Sequence, residues 1–374
     1  MNQKKILIIT HGFYPQQSPR SFRATELAKE FCRQNHEVTV MAPYRKGIEA
    51  ILKEYPIIFK SLGSLNLRIF NFQGLGIVGR LYNKAVNRLL PLLFEYPMME
   101  LFFKVRKLLK SETTRYDILI SIAVPYPIHW GVASVWNKKN KIINIAALWV
   151  ADCGDPYSLR ENDTFRPPFY FRWVEKWFMR KVDYVSVPTV NSFKGYFPEF
   201  HHKLRVISQG FRFEDITCKP TITDGIVRFG YGGSFIPGWR DPRELLDFLC
   251  SLPPDWKFEF HVFTSQEHFI KPYAKYDNRI ILHSLVSRNI LLETLSSYQF
   301  VVNFANKGTA ETPSKIIDYA IINKPVLNID TGSLDKELVL SFLKGDYSRQ
   351  LRIENIYQYR IENVTARFLS LLGN

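Results

Sequence analysis

Residues 5–41 read KILIITHGFYPQQSPRSFRATELAKEFCRQNHEVTVM and contain a complete strand–helix–strand pattern. The run Lys5–Thr10 is dominated by apolar residues, as in a strand buried on both faces of a parallel sheet. Ser18 and Pro19 supply an N-cap and a first-turn proline, apolar residues then recur at helical spacing, and a second strand follows at His36–Met41. The stretch predicts a β-α-β unit whose loop 11–17 lies where open α/β sheets bind ligands.

Further strand patterns alternate with helical ones along the whole chain. In the first half they lie at Leu67–Phe70, Ile118–Ile122, Ile142–Val150, Tyr184–Val187 and Leu204–Ile207. The pattern then restarts, with predicted strands at Val227–Tyr231, Trp256–Phe263, Ile280–Leu282, Phe300–Asn303 and Pro325–Ile329. A terminal helix is predicted at Ile353–Leu372. This order predicts the α/β class with two Rossmann-like, doubly wound halves.

The length of 374 residues exceeds what one hydrophobic core usually supports, and a hydrophobic content of 46% is ample for two cores. We therefore expect a first domain at 1–212 and a second at 213–345. A C-terminal helical segment at 346–374 is expected to pack back toward the first domain.

The chain carries 50 Lys and Arg against 35 Asp and Glu, a net charge of +15. Such a surplus attracts nucleic acid, an anionic membrane surface or phosphorylated small molecules. The four cysteines show neither zinc-ligand spacing nor a disulfide pattern, so no metal site is expected. No apolar run approaches the roughly 20 residues of a membrane span. These features predict a cytoplasmic protein, soluble or peripheral to the membrane.

The segment Pro313–Tyr319 (PSKIIDY) carries the strongest chemical signal. A helix beginning at Thr312 or Pro313 presents free backbone N–H groups to the preceding loop, which favours an anion. Lys315 lies in the first turn, and Asp318 follows about one turn later. The arrangement predicts a diphosphate site beside a carboxylate that accepts hydrogen bonds from ribose hydroxyls. An ordinary capped surface helix has the same local pattern.

A second segment, after the strand at Val227–Tyr231, points to the same ligand. Gly232 and Gly233 allow close approach of the backbone, and Arg240 is expected to open the following helix. Both segments follow strands of one predicted sheet, so Arg240 and Lys315 are predicted to converge on one diphosphate.

Taken together, these segments resemble the retaining nucleotide-sugar glycosyltransferases of family four, especially bacterial surface-polysaccharide enzymes. Their GT-B architecture has two Rossmann-like domains facing across a cleft. The resemblance runs along nearly the whole chain and includes Lys5–Ile9, Tyr14–Pro15, Arg23–Ala28, Asn35–Val40, Trp149–Tyr157, Val206–Phe211, Tyr231–Ser234 and Pro313–Tyr319.

The resemblance implies that Arg240 and Lys315 neutralise the donor diphosphate and that Asp318 holds the ribose. It also implies that backbone near Val286 and Arg288 holds the base. The remaining expected donor-site residues are Gly232, Gly233, Ser234, Pro313 and Ser314.

Two positions depart from the family pattern. The family shows Glu, seven residues, then Glu or Asp, whereas Glu311 and Asp318 are separated by six and the in-register residue is Ala310. Glu311 is retained as a catalytic candidate that contacts a donor-sugar hydroxyl if the loop shifts by one residue. Gly154 stands where the family variant has Arg.

The acceptor side is expected in the first domain. Asp155 is a catalytic candidate that contacts the reacting sugar or the acceptor hydroxyl. Asp152, His11, Arg20 and Arg23 are expected beside it. The alternatives are a turn formed by Asp155 with Pro156, an N-cap role for Asp152 and loop packing by His11.

The charged segments predict an enzyme that transfers a sugar from a nucleoside diphosphate donor to a glycan or lipid-linked acceptor. The family resemblance further implies that the enzyme prefers UDP, retains the anomeric configuration and needs neither a metal nor a cofactor. A nucleotide-sugar epimerase of the same fold and a non-catalytic basic nucleotide- or nucleic-acid-binding protein remain as alternatives. Nucleic acid is not an expected partner because the signatures of such modules are missing.

Two basic, aromatic-rich stretches, Leu75–Lys110 and Phe165–Lys181, predict contact with an anionic membrane surface. The alternative is that most of their apolar residues pack on the first sheet and only the basic faces contact water.

Overall fold

The computed structural model describes residues 2–69, 76–159, 167–305, 314–352 and 355–373. The chain divides into two compact units. The first contains Met1–Phe211 together with Gln358–Asn374, and the second contains Arg212–Tyr357.

The strands of the first unit form one sheet. They are β1 (Lys5–Thr10), β2 (Glu37–Ala42), β3 (Ile57–Ser61), β4 (Tyr116–Ala123), β5 (Ala146–Cys153), β6 (Tyr184–Val187) and β7 (Leu204–Val206). Within the described residues the order is β3-β2-β1-β4-β5-β6-β7, and every neighbouring pair is parallel. The strand order reverses between β1 and β4, and a crevice for ligands opens at such a switch point.

The second unit repeats this plan with a smaller sheet. Its strands are β8 (Val227–Gly232), β9 (Phe258–Phe263), β10 (Ile280–His283), β11 (Phe300–Phe304) and β12 (Val326–Ile329). In the described part of this unit the order is β10-β9-β8-β11-β12, again parallel throughout. Its switch point lies between β8 and β11.

Helices connect the strands and follow the predicted alternation. They are α1 (Pro19–Arg33), α2 (Glu49–Glu54), α3 (Gly76–Phe94), α4 (Glu100–Ser111), α5 (Pro127–Ala133), α6 (Tyr170–Lys181), α7 (Arg243–Ser251), α8 (Lys271–Tyr276), α9 (Arg288–Ser296), α10 (Ser314–Ile321), α11 (Lys336–Leu343) and α12 (Ile361–Ser370). The α/β class with two doubly wound parallel sheets is confirmed.

The alternation of side chains along β1 explains why its apolar run is continuous. Ile6 and Ile8 pack into the core on one face of the sheet, whereas Leu7 and Ile9 pack into the core on the other. Helix α12 shares the first of these cores, and its Thr365 Oγ1 accepts a 2.8 Å hydrogen bond from the Nε2 of Gln34, the residue that follows α1. The end of the chain therefore completes the first unit.

Some predicted elements were wrong in position. Residues 67–69 are not a strand, and the sheet edge is instead formed by β3, whose short, half-exposed sequence gives a weak pattern. Ile142 and Ile143, predicted to begin β5, lie in an exposed 3₁₀ turn at Lys141–Ile143. The terminal helix begins only at Ile361, after a 3₁₀ turn at Ile356–Tyr359.

Candidate active site

The clearest site lies at the switch point of the second sheet, where β8 and β11 end side by side. Strand β8 leads into the loop 233–242, and α10 begins at Ser314 shortly after the end of β11. Carboxyl ends of adjacent parallel strands meet at one sheet edge, which brings these two segments together.

Lys315 is held by a tyrosine from the neighbouring strand. Its Nζ donates a 2.7 Å hydrogen bond to the Tyr231 hydroxyl and lies 4.2 Å from the centroid of that ring. The Tyr231 hydroxyl in turn donates to the Ser234 carbonyl at 2.9 Å. Tyr231 is a site residue that the sequence analysis missed. Its position one residue before the Gly-Gly pair was the available signal.

Gly233 makes room for the Lys315 ammonium. A Cβ at this position would lie 1.8 Å from Lys315 Nζ, and the glycine φ of +147° is rarely adopted by other residues. The sequence predicted that Gly233 leaves room for a ligand, whereas in the structure the end of the Lys315 side chain occupies that space.

Arg240 lies in a hydrogen-bonded turn of the loop after β8, and its guanidinium is near enough to Lys315 to affect the pKa of that lysine. Backbone hydrogen bonds join Ile236 and Arg240 in both directions at 3.1 and 2.8 Å, and Thr331 Oγ1 fastens the turn by donating to the Trp239 carbonyl at 2.9 Å. The prediction that Arg240 opens the helix was wrong by three residues, since α7 begins at Arg243.

Arg240 and Lys315 repel each other. Burial is the main cause that lowers the pKa of Lys315 to about 7, the Arg240 guanidinium lowers it further, and Asp318 opposes both. The Arg240 Nε is buried without a hydrogen-bond partner, and within the described ranges neither side chain has a carboxylate salt bridge. The site therefore has unbalanced positive charge.

Asp318 is already engaged by a side chain. Arg288, at the start of α9, donates from Nε to its Oδ1 at 2.9 Å and also binds it through Nη2. Burial raises the pKa of Asp318 although Arg288 acts in the opposite direction. The sequence analysis expected only the backbone of Arg288 to contribute, and the guanidinium of this residue was missed as the partner of Asp318.

The two glycines at the end of β8 serve packing. A Cβ on Gly230 would lie 2.4 Å from Leu295 of α9, and one on Gly232 would lie 2.4 Å from Leu291. The expectation that Gly232 leaves room for a ligand is corrected, because α9 fills that space. Ser234 is exposed.

The positions of the remaining predicted donor-site residues are as follows. Val286, on the loop before α9, is 39% exposed. Ser314 begins α10. Glu311 and Pro313 lie outside the described residues.

The predicted acceptor-side residues Arg23 and Asp152 bind each other in the interior of the first unit. Arg23 donates to both Asp152 oxygens at 3.0 and 2.9 Å, and Ser186 Oγ donates to Asp152 at 2.6 Å. Only 4% and 5% of the two side chains are exposed. Their predicted contact with an acceptor is therefore corrected to a structural ion pair.

Arg20 and Asp155 form a second, more accessible pair, with Arg20 Nη2 3.1 Å from Asp155 Oδ2. The Arg20 guanidinium lies against the Cα of Gly154, where an added Cβ would be 1.3 Å from Nη2. Arg20 thus occupies the space of a residue-154 side chain, and Tyr126 fixes the loop by donating to the Asp155 carbonyl at 2.6 Å.

His11 follows β1, where the sequence placed it. Burial lowers the pKa of His11, and the nearby positive charge of Arg45 lowers it further. The Arg45 Nε is itself buried without a partner among the described residues. Arg45 was not anticipated from the sequence.

The sequence analysis also missed a buried hydrogen-bonded group of side chains from β4, α5 and β5. His129 Nδ1 lies 2.8 Å from Ser121 Oγ, which accepts a 2.8 Å hydrogen bond from Trp149 Nε1. Burial lowers the pKa of His129 to about 3. A neutral, enclosed histidine of this kind stabilises the fold. No cluster of three or more His, Cys, Asp or Glu suited to a metal occurs in the described part of the chain.

With its two doubly wound units, the chain has the GT-B fold, and solved GT-B structures match its full length. TarM of S. aureus superposes with a TM-score of 0.62 at 13% identity, covering 100% of this chain and 99% of that one. HepE of Anabaena, in complex with UDP and glucose, gives 0.57 at 12% identity with full coverage of both chains. The lipopolysaccharide outer core galactosyltransferase WaaB gives 0.56 at 12% identity and 99% coverage of both.

At these identities the similarity establishes the fold. No protein-family model matches the chain, and no curated protein sequence matches it either. The case for an activity therefore depends on the residues of the site.

Proposed function

We propose that this chain is a glycosyltransferase that moves a sugar from a nucleoside diphosphate sugar, with UDP as the preferred carrier, to a glycan or lipid-linked acceptor. One observation carries the proposal. Arg240 and Lys315 converge at the switch point of the second sheet, and their charges are not balanced by a carboxylate salt bridge among the described residues. A diphosphate has the charge and the acceptor oxygens to bind both.

The two cations suit the chemistry of sugar transfer. As the bond between sugar C1 and the diphosphate oxygen breaks, negative charge grows on the departing UDP, and preorganised cations stabilise it. Asp318, oriented by Arg288, is proposed to accept hydrogen bonds from the ribose hydroxyls. The exposed loop at Val286 is proposed to contact the base.

We propose the family-four, retaining course for the reaction. The acceptor oxygen attacks C1 on the face that the diphosphate leaves, and the acceptor proton passes to the departing phosphate oxygen. This course needs no protein nucleophile. Arg240 and Lys315 supply the positive charge that a divalent cation supplies in other enzymes, so turnover is expected to persist in excess chelator.

A role in surface-polysaccharide synthesis at the inner face of the cytoplasmic membrane is part of the proposal. HepE was solved in complex with UDP and glucose, and WaaB is a lipopolysaccharide outer core galactosyltransferase. Both share the fold of this chain, which supports the analogy.

The test measures UDP binding by calorimetry and UDP release from a panel of UDP-sugars, with and without a membrane-lipid extract as the acceptor source. Arg240→Ala and Lys315→Ala are each expected to lose about 2–4 kcal/mol of transition-state stabilisation, or about 30- to 900-fold in kcat/KM. Arg349→Ala and Lys275→Ala are the matched controls, because both remove exposed cations of the same unit.

Near-normal activity in both site variants would exclude the diphosphate site. Acceptor-independent conversion of the donor sugar into its epimer would instead identify an epimerase.

A further inference from the structure

Helix α3 of the first unit exposes an unusual amount of apolar surface. Of its 19 residues, the buried one is Gly79. Ile77, Val78 and Leu81 are 68%, 70% and 62% exposed, and Leu89 is 51% exposed. A helix that packs on a sheet normally buries its apolar stripe, so these side chains need another partner.

Five exposed residues of α3 form an apolar stripe, whereas the exposed Phe94 lies on another side of the helix. At about 100° per residue, positions 77, 78, 81, 85 and 89 fall on one side of the helix. Arg80 and Lys84 lie at one edge of this sector, and Arg88 lies within it, between the directions of Ile77 and Leu81. The helix contains neither Asp nor Glu.

Helix α6 extends this surface. The Tyr170 hydroxyl donates to the Leu93 carbonyl, which joins the start of α6 to the end of α3. Near this junction Phe169 and Trp173 are 68% and 67% exposed and contact each other edge to face, with ring centroids 5.5 Å apart. We call the exposed residues Ile77, Val78, Leu81, Leu89, Phe169 and Trp173 the α3–α6 face.

The apolar and basic residues of the α3–α6 face indicate which kind of partner binds there. An apolar stripe beside a row of basic residues is suited to the boundary between lipid headgroups and acyl chains, where Trp and Phe also partition well. A second copy of the chain would place the same basic rows against each other. None of the helices among the described residues has the length and hydropathy of a membrane span.

We propose that the α3–α6 face docks the protein on an anionic lipid bilayer, with the apolar stripe inserted and Arg80 and Lys84 against the headgroups. The proposal identifies the membrane-contacting surface of the proposed transferase and in that sense rests on the proposed function. It would place a lipid-linked acceptor beside the first unit.

The test is co-sedimentation of the full chain with vesicles of equal parts phosphatidylglycerol and phosphatidylcholine, and with vesicles of phosphatidylcholine alone. Binding is expected on the anionic vesicles only, and it should weaken as salt is raised. The double variant Ile77→Glu/Leu81→Glu should lower the partition coefficient by about tenfold or more, because it removes two inserted side chains and adds repulsion. Lys84→Glu should lower it less.

The matched control is Ile142→Glu, which places the same charge on a 77% exposed isoleucine elsewhere in the first unit. It should bind vesicles like the wild type. Equal loss in this control, or wild-type protein that ignores anionic vesicles at low salt, overturns the proposal. So does a solution dimer that the double variant converts to monomer, since a second copy then covers the face.

UDP binding, measured on every variant, separates this proposal from the proposed function. The site residues for UDP lie in the second unit, so the α3 variants should retain wild-type affinity. Loss of vesicle binding with UDP binding intact supports docking through α3. If the wild type does not bind UDP, the proposed transferase activity is contradicted. The vesicle experiment still decides whether the α3–α6 face docks on a membrane.

Discussion

Both units place charged residues near the carboxyl ends of their parallel strands, but the charges are paired in the first unit and, within the described residues, unpaired in the second. In the first unit Arg23 is paired with Asp152 and Arg20 with Asp155. In the second unit Arg240 and Lys315 face each other without a carboxylate salt bridge among the described residues. Paired charges hold loops in place, whereas an unpaired cation cluster is favourable only when an anion arrives.

This difference also explains why residue type was a poor guide to role. The sequence analysis named Arg23 and Asp152 as acceptor-side candidates, just as it named Arg240 and Lys315 as donor-side candidates. Burial and pairing make the first two structural, because a fully buried ion pair has no capacity left for a ligand.

The largest effect is expected from breaking the buried pair. Asp152→Ala leaves the Arg23 guanidinium buried without its anion, which should cost about 3–5 kcal/mol of unfolding free energy. Urea unfolding measures the loss. Asp117→Ala is the control, because its pair with Lys4 is 37% exposed on each side and should contribute less than about 1 kcal/mol. Equal stability of the two variants would show that Asp152 is not structural.

A smaller effect is expected from crowding the cation site. Gly233→Ala places a Cβ in the space of Lys315 Nζ, so the ammonium is displaced and loses a charge-assisted hydrogen bond to the diphosphate that contributes about 1–3 kcal/mol. UDP affinity, measured by calorimetry, should fall by about 5- to 150-fold. The control is Gly225→Ala, whose φ of +85° is also strained but whose Cβ meets no atom within 4 Å. Unchanged UDP affinity in Gly233→Ala would separate Lys315 from the ligand.

The pH dependence of UDP binding tests whether the unpaired Lys315 of the second unit contacts the bound diphosphate. Lys315 has a pKa of about 7 in the free protein, and a bound diphosphate raises it by attracting the ammonium form. Binding then takes up a proton above pH 7, so the affinity for UDP should fall by up to about tenfold per pH unit from pH 7 toward the raised pKa. Calorimetry at several pH values checks this. In Lys315→Arg the slope should disappear, because arginine keeps its charge throughout this range.

The smallest effect is expected at the exposed pair of the first unit. Asp155→Ala removes a salt bridge whose side chains are 23% and 51% exposed, so unfolding free energy should change by less than about 1 kcal/mol. Its UDP affinity should match the wild type, since the residue lies in the other unit. A loss comparable to that of Asp152→Ala would mean that the two pairs are equivalent after all.

Much of the fold was readable from local pattern. β1, β6 and the starts of β7, β8, β10 and β11 lie where the apolar runs placed them, because burial on both faces of a parallel strand leaves a continuous signal. The Gly233, Arg240 and Lys315 segments were found for a related reason, since turn glycines and helix starts have local signatures. The edge strand β3 gave no such signal.

What only the tertiary structure decided is which side chains meet. Tyr231 and Lys315 are 84 residues apart, Arg20 and Asp155 are 135 apart, and Arg288 and Asp318 are 30 apart. Secondary-structure pattern reflects burial of each segment by itself, whereas pairing depends on strand order, which brings distant strand ends to one edge. Sequence alone therefore determined the two-sheet architecture and the candidate cations, and the fold determined which charges are neutralised and which remain for a ligand.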